Sequence, residues 1–526
     1  MKTSRPSCAS APNSLLYAAQ VAMAYAEFDG HAAVAVAAGY VQPCTYCSTR
    51  GGERGLPFER VLLAAYAADG GLFVPEKLPH VSTATLRSWA PLSMAKVCAR
   101  VMALFTDLDL PTCERLASAA FGSFNGGREP PLPLRDVGGF TLLDTGLGPT
   151  LAFKDIGQQV VAQLLDHYLG RRGAHANVVV ETSGDTGPAA IAGVAGCAHV
   201  SIHCLYPHGR VSDVQELQMV TVDAPNVFVY RTEGNTDEQA EALKTVFTDA
   251  AFMKRHNVVS INSINWARVM VQASYYVWAS LQLRPSADGP VNFVVPSGAF
   301  GNACGGLVAK LIGAPVGTIA CATNANDIVA RTIATGDMSQ AANVPTLSPA
   351  MDIQFAYNLE RCLFLASGGD TAAVRAHMLP AERGEAVRLA PPLLAAVRRT
   401  FVSCAVSDEE TLATMRRMWR RCAIALCPHS AVGVHAFERD AAVRAACAGA
   451  PTICVLTAHP AKFGDAVAAA GLPPQSTPEV DALRKLPHRF EWLRAPPGAD
   501  ATAKRAAWAT FVKDAVVRRE PKRARL

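Results

Sequence analysis

Three times along this chain a short apolar run ends in a turn of glycine, serine and threonine, and the turn opens into small helix-forming residues. Val178–Val180 leads into Thr182-Ser183-Gly184-Asp185-Thr186-Gly187, and Phe293–Val295 into Pro296-Ser297-Gly298-Ala299-Phe300-Gly301-Asn302. Ile453–Leu456 leads into Thr457 and then a helix around Phe463–Ala470. Val200–Leu205, Val227–Tyr230 and Ile319–Ala322 read as further strands, with Ser212–Val220 and Asp237–Phe252 as helices between them. Short runs without a polar face suit strands covered by helices on both sides. Strand, turn and helix in this rhythm predict an α/β fold with a mostly parallel sheet. Ligands in such folds sit at the carboxyl ends of strands, where all three turns fall.

The 526 residues are enough for two or three lobes and a sizeable core. A net charge of +5, spread without basic stripes, argues against a nucleic-acid partner. No run approaches the roughly 18 uninterrupted apolar residues of a membrane helix, so no membrane partner is expected. The 15 cysteines are odd in number and irregular in spacing, which speaks against a disulfide framework. Cys44 and Cys47 form a lone C-x-x-C without the second ligand pair that zinc needs, so no metal is expected. Residues 1–40 read as a variable extension, with Lys2 and Arg5 its only basic residues, too few for a transit peptide. Residues 41–130, with helix-like stretches such as Phe58–Ala68, read as an N-terminal lobe. Residues 131–475 read as the core, with a small lobe at about 155–265 and a helical insertion at about 366–400. Residues 476–526 read as a C-terminal segment with a basic tail.

Four segments carry the chemistry. In Gly148-Pro149-Thr150-Leu151-Ala152-Phe153-Lys154-Asp155 the lysine lies among apolar neighbours, and desolvation there lowers its pKa and favours imine chemistry. The turn Thr182–Thr186 presents N–H and O–H donors at a helix start, suited to a carboxylate or phosphate. The turn Gly298–Asn302 lets backbone approach a phosphate and adds a helix dipole. It lacks the Gly-Lys-Ser/Thr of a Walker loop and the glycine pattern of a dinucleotide site. Leu456-Thr457-Ala458-His459-Pro460-Ala461-Lys462-Phe463 sets a hydroxyl just past a strand, and His459 reads as a structural hydrogen-bonder.

Together, in this order, these segments resemble threonine synthase of the fungal and bacterial long-chain type. The resemblance includes Tyr46-Cys47-Ser48-Thr49-Arg50-Gly51, Asp69-Gly70-Gly71-Leu72-Phe73-Val74-Pro75-Glu76 and Asn262-Ser263-Ile264-Asn265-Trp266-Ala267-Arg268. It continues through Leu347-Ser348-Pro349-Ala350-Met351-Asp352-Ile353 and Pro428-His429-Ser430-Ala431-Val432-Gly433, spanning roughly residues 45–475. It implies a fold-type II pyridoxal-phosphate enzyme, tryptophan synthase β-like, with parallel sheets and flanking helices in two lobes plus an N-terminal lobe. By the same resemblance Lys154 is the catalytic residue and carries pyridoxal 5'-phosphate. Gly298, Ala299, Phe300, Gly301 and Asn302 hold the cofactor phosphate, Thr457 meets the pyridine nitrogen, and Thr182, Ser183, Asp185 and Thr186 hold the substrate carboxylate. The substrate implied is a small phosphorylated amino acid, O-phospho-L-homoserine, converted with water to threonine and phosphate. A monomer or homodimer is expected.

Two positions depart from the family pattern. Leu147 stands where a histidine is usual, and Ala299 where an asparagine is usual in the phosphate loop. A related branch, the vertebrate threonine-synthase-like proteins described as phospholyases, also has a small residue in that loop and releases a keto acid. Leu426-Cys427-Pro428-His429 leans toward that branch, whereas Thr457-Ala458-His459-Pro460 and Tyr275-Tyr276 lean toward a synthase. A cofactor-binding protein without turnover is the reading from a different class, opposed by the intact Lys154 and Thr457. The cytoplasm is the expected location. The final Ala524-Arg525-Leu526 resembles a small-basic-leucine peroxisomal signal, which makes a peroxisome-like organelle the alternative.

Overall fold

Two sheets, parallel apart from one edge strand, form the core of the fold. The first is ordered Val258–Val259, Ala176–Glu181, Val200–Pro207, Val227–Thr232 and Glu491–Leu493, parallel throughout. The second runs Phe401–Ala405, Val316–Thr323, Val291–Pro296, Thr452–Leu456, Thr141–Asp144 and Leu134–Asp136, with only the last strand antiparallel. This computed structural model describes residues 44–64, 66–496 and 498–520 and the strand Val34–Ala35. The rest of the N-terminal extension and the tripeptide Ala524–Leu526 lie outside the described residues.

The strands are buried along nearly their whole length, as their unbroken apolar character requires. Between the sheets runs the helix Trp266–Leu283, buried from Trp266 through Leu281, packed on the helices Gly301–Leu311 and Met94–Phe105. A helix buried on all sides must be mostly apolar, and this one is, with the Ser274 and Ser280 hydroxyls donating to Val271 O and Val277 O. The family motifs Tyr46–Gly51 and Asp69–Glu76 come together as one antiparallel pair, with Tyr46 opposite Pro75 and Ser48 opposite Phe73. Arg50 then reaches Glu360 at 2.9 Å, and Arg361 donates to Phe73 O at 3.0 Å. These contacts fasten the N-terminal lobe to the core.

Three expectations change in detail. The helix expected over Asp237–Phe252 is two helices, Thr236–Phe247 and Ala250–Arg255. Asp249 caps the second by accepting from Phe252 N at 2.9 Å, and that cap marks the break. The helix expected over Phe58–Ala68 stops at Leu62, whose carbonyl accepts from Asn265 Nδ2 at 2.9 Å instead of continuing the ladder. The C-terminal segment contributes a strand to the first sheet. Its helix Ala501–Arg519 buries Trp508, Val512 and Val516 against Tyr230, Leu243 and Val246.

Candidate active site

Backbone hydrogen bonds join the lysine segment to the end of the strand Thr452–Leu456. Phe153 N donates to Thr457 O at 2.7 Å, and His459 N donates to Leu151 O at 3.0 Å, with Ala152 and Ala458 bridged antiparallel. Leu151 takes a φ of 60°, a strained conformation that this bridge holds. Asp155 folds the turn by accepting from Thr150 N at 2.9 Å and Thr150 Oγ1 at 2.6 Å. Gly148 passes so close to the Asp155 carboxylate that a Cβ there would collide with it. Burial pushes the Asp155 carboxyl up to about 6. The turn ends with Lys154 as the first residue of the helix Lys154–Arg172.

Lys154 is half-buried. Desolvation pushes its amine down to about 8, with Arg268 and Lys462 acting in the same direction and Asp185 opposing. The turn Thr182–Thr186 faces this lysine through Asp185. Lys462 Nζ lies 2.9 Å from Asp185 Oδ1 and donates to Thr150 O at 2.6 Å. Gln215 Nε2 donates to the same Asp185 oxygen at 2.9 Å. Burial works to raise the Asp185 carboxyl, but Lys462, Lys154 and His429 outweigh it and hold the group well below the usual carboxylate range. One buried ion pair thus ties together the lysine turn, the Thr182–Thr186 turn and the segment after Thr457.

The third turn is built for close approach. Phe300 takes a φ of 64° at the start of the helix Gly301–Leu311. A Cβ on Gly298 would lie 3.0 Å from Met351 Cα, so a larger residue here would push the Pro349–Met351 turn aside. Asn358 Nδ2 donates to Ala299 O at 3.3 Å, and Arg361 in turn holds Asn358 Oδ1 at 2.6 Å. Asn302 Oδ1 accepts from Tyr276 at 2.6 Å and also from the Tyr275 hydroxyl.

Several buried polar atoms in this region have no hydrogen-bond partner among the described residues: Thr457 Oγ1, Asn302 Nδ2, His429 Nδ1, Gln272 Oε1 and Arg268 Nε. Buried polar atoms are normally paired, so these atoms have bonding capacity that a polar ligand could complete. Thr457 is 5% exposed and its N–H donates to Ser430 Oγ at 3.0 Å, so the hydroxyl is held while its own hydrogen bond stays open. His429 Nε2 accepts from Ala350 N at 3.1 Å, which puts the proton of the neutral ring on Nδ1. Burial pushes His429 down to about 4, with Asp185 opposing and Lys154 and Lys462 assisting.

The residues named from sequence fall into three groups. Lys154, Asp185 and Thr457 lie in segments that the buried ion pair and the backbone bonds bring together, and Gly298, Ala299, Phe300, Gly301 and Asn302 form the turn from the strand Val291–Pro296 into the helix Gly301–Leu311. Thr182 is buried, and its hydroxyl accepts from Gly184 N and Gly187 N, both at 3.0 Å, so it shapes the turn from within. Ser183 is exposed and Thr186 half-buried at the turn's surface. Sequence alone assigns no role to Lys462 or His429; a lysine six residues past a strand end, between Ala461 and Phe463, is the signal that could have found Lys462. His459 caps the Pro460–Lys462 turn by accepting from Ala461 N at 3.2 Å. An amine of lowered pKa, an open hydroxyl and a glycine-containing cradle at a helix start are the groups that pyridoxal phosphate requires.

Comparison with known proteins agrees. A family model described as pyridoxal-phosphate dependent enzyme matches residues 131–458. Models of the threonine synthase N terminus and C-terminal region match 45–121 and 430–507. Threonine synthase-like 2 of Homo sapiens is 41% identical over 457 residues, covering 85% of this chain and 94% of that protein. Threonine synthase of Pseudomonas aeruginosa is 39% identical over 434 residues, covering 81% and 90%. The crystal structure of pyridoxal-phosphate-bound threonine synthase from Brucella melitensis superposes with a TM-score of 0.83 at 36% identity, covering 90% of this chain and 99% of that one. Among the described residues no helix is long and apolar enough to cross a membrane. Site and relatives agree: the chain belongs to the threonine synthase family of pyridoxal-phosphate-dependent lyases.

Proposed function

We propose that the protein is a threonine synthase, converting O-phospho-L-homoserine and water to L-threonine and phosphate. The observation that carries this reading is the Lys462–Asp185 pair beside Lys154, which fixes a charged carboxylate and an easily deprotonated amine at one place. Pyridoxal phosphate, when bound, supplies the electron sink for carbanion chemistry. The chain's own work is proton traffic and orientation. An amine near pH 8 gives up and takes back protons readily at neutral pH, so Lys154 is the group that moves them. Asp185, kept ionised by Lys462, steadies the protonated form of that amine. Thr457, whose buried hydroxyl is unpaired among the described residues, would offer a neutral partner to the pyridine nitrogen of the bound cofactor. The cradle at Gly298–Asn302 offers backbone N–H groups to phosphate, and Ser183 and Thr186 are surface donors for the substrate carboxylate.

A second reading, a phospholyase that releases a 2-oxo acid, phosphate and ammonia from the same or a similar phosphorylated amino acid, is favoured by Leu147 and Ala299. Each removes a polar side chain from the site's edge. Incubation with O-phospho-L-homoserine decides between them. Phosphate with threonine supports the synthase, phosphate with 2-oxobutyrate supports the phospholyase, and no phosphate release defeats both. For its address we propose the cytoplasm, with Ala524-Arg525-Leu526 a candidate peroxisomal signal. Deleting those three residues and following the protein's location tests the second idea.

A further inference from the structure

The helix Pro428–Arg439 begins with His429 and Ser430 in the active site, and the strand Thr452–Leu456 ends at Thr457. Their opposite ends line an open surface cavity of about 550 Å3 at the amino edge of the same sheet, flanked by the loops at Gly138–Phe140 and Ala448–Ala450. At 1.5 Å per residue the 12-residue helix sets the two sites about 18 Å apart. Arg417, Arg421, Arg439 and Arg444 face this cavity against a single carboxylate, Glu438. Glu438 pairs with Arg417 at 2.6 Å and with Arg421 at 2.8 Å. Among the described residues Arg439 and Arg444 form no ion pair. Arg421 turns Nε to Cys422 Sγ at 3.4 Å and Nη2 to Met418 Sδ at 3.2 Å, and sulfur is a weak acceptor. Beside these guanidinium groups the wall is aromatic: the Phe140 and Phe437 rings lie 5.2 Å apart, with the Arg421 guanidinium 5.8 Å from the centre of Phe140.

Guanidinium forks suit phosphate, and an aromatic wall suits a flat ring. A cavity of this size lies within the range of small-molecule sites, about 300–1,000 Å3. We propose that this cavity binds a nucleotide, its phosphates on Arg421, Arg439 and Arg444 and its base against Phe140 and Phe437. Basic residues in the last turn of a helix also offset its dipole, and that accounts for where these arginines stand in the sequence. It does not account for their convergence, from three helices, on one aromatic-walled cavity.

Calorimetric titration of the full-length holoenzyme tests the assignment, with ATP, adenosine and pyrophosphate as probes. ATP should bind saturably, with adenosine and pyrophosphate each at least tenfold weaker. The double substitution Arg439→Ala, Arg444→Ala should weaken ATP at least tenfold while the melting temperature and the basal rate of phosphate release stay unchanged. Phe437→Leu should weaken ATP and leave pyrophosphate unaffected. No ATP binding at millimolar concentration, or ATP binding indifferent to the arginine substitutions, overturns the proposal. Pyrophosphate binding as tightly as ATP overturns the assignment of a ring-bearing ligand.

Discussion

The two ends of the six-stranded sheet hold charge in opposite ways. At the carboxyl end the cation Lys462 is 1% exposed, bonded to Asp185 and Thr150 O, and its surroundings are protein. At the amino end Arg439 and Arg444 are exposed, and their surroundings are solvent. A buried charge must be paired to be tolerated, and once paired it locks the segments that supply the pair. An exposed charge needs no partner and contributes little to stability, so it is free to serve recognition. The same helix and strand connect both ends; at the amino end Glu438 is paired with Arg417 and Arg421, while Arg439 and Arg444 stand outside any such pair among the described residues.

This contrast breaks most visibly at Lys154. Lys154→Ala should leave the fold intact but abolish borohydride-fixable cofactor and cut phosphate release at least about a thousandfold. Cofactor still fixed covalently in that variant would remove Lys154 from its role. Next in size is Lys462→Met, which strands the Asp185 charge in the interior. A loss of about 3–5 kcal/mol in urea unfolding is expected, together with weakened cofactor binding. Near-normal stability would mean that water reaches Asp185.

Acid should sharpen the same difference. An unfolded histidine takes up its proton near pH 6.5, whereas folded His429 resists until about 4. Its depressed pKa therefore withdraws stability as pH falls through that window, by at most about 3 kcal/mol. Asp185, depressed in the folded state, contributes stability that is present above the unfolded carboxyl pKa and is lost as pH drops further. Asp155, raised to about 6, works in the opposite sense, so the test is a difference: between pH 7 and 4 His429→Phe should lose less stability, or gain more, than the parent by up to about 3 kcal/mol. A profile unaltered by that substitution would show that other groups set the acid limit.

Smaller effects follow at single hydrogen bonds and at the surface. Thr457→Val should cost about 1–2 kcal/mol in cofactor affinity, read by equilibrium dialysis, with the fold unchanged. An unchanged affinity would exclude a pyridine contact. Arg439→Ala should move global stability by no more than about 0.5 kcal/mol, since nothing packs on its charge. A larger loss would make the amino end structural after all.

Local pattern carried much of this. Unbroken apolar runs such as Val178–Val180 and Phe293–Val295 became buried parallel strands, because that burial on both faces is what such runs can satisfy. The turns after them landed at strand ends, so the place of the turn Gly298–Asn302 and of the lysine segment before Lys154 was legible, and the roles proposed for them rest on that placement. Boundaries were less legible. The stop at Leu62 depends on an amide from Asn265, some 200 residues away in the chain, and no local signal announces it.

What the sequence determined by itself was therefore the α/β class, the family and the residue types able to hold pyridoxal phosphate, since each follows from short-range order along the chain. Only the tertiary structure decided which of those residues answer one another. Lys462 reaches Asp185 and Arg50 reaches Glu360 across hundreds of positions, while the strand Tyr46–Ser48 finds its partner Phe73–Pro75 across a shorter loop. The convergence of four arginines on one cavity is of the same kind. Electrostatic and packing energies act over a few ångströms in space, whatever the distance in sequence. Long-range partners are therefore fixed when the sheets close around the helix Trp266–Leu283, and not before.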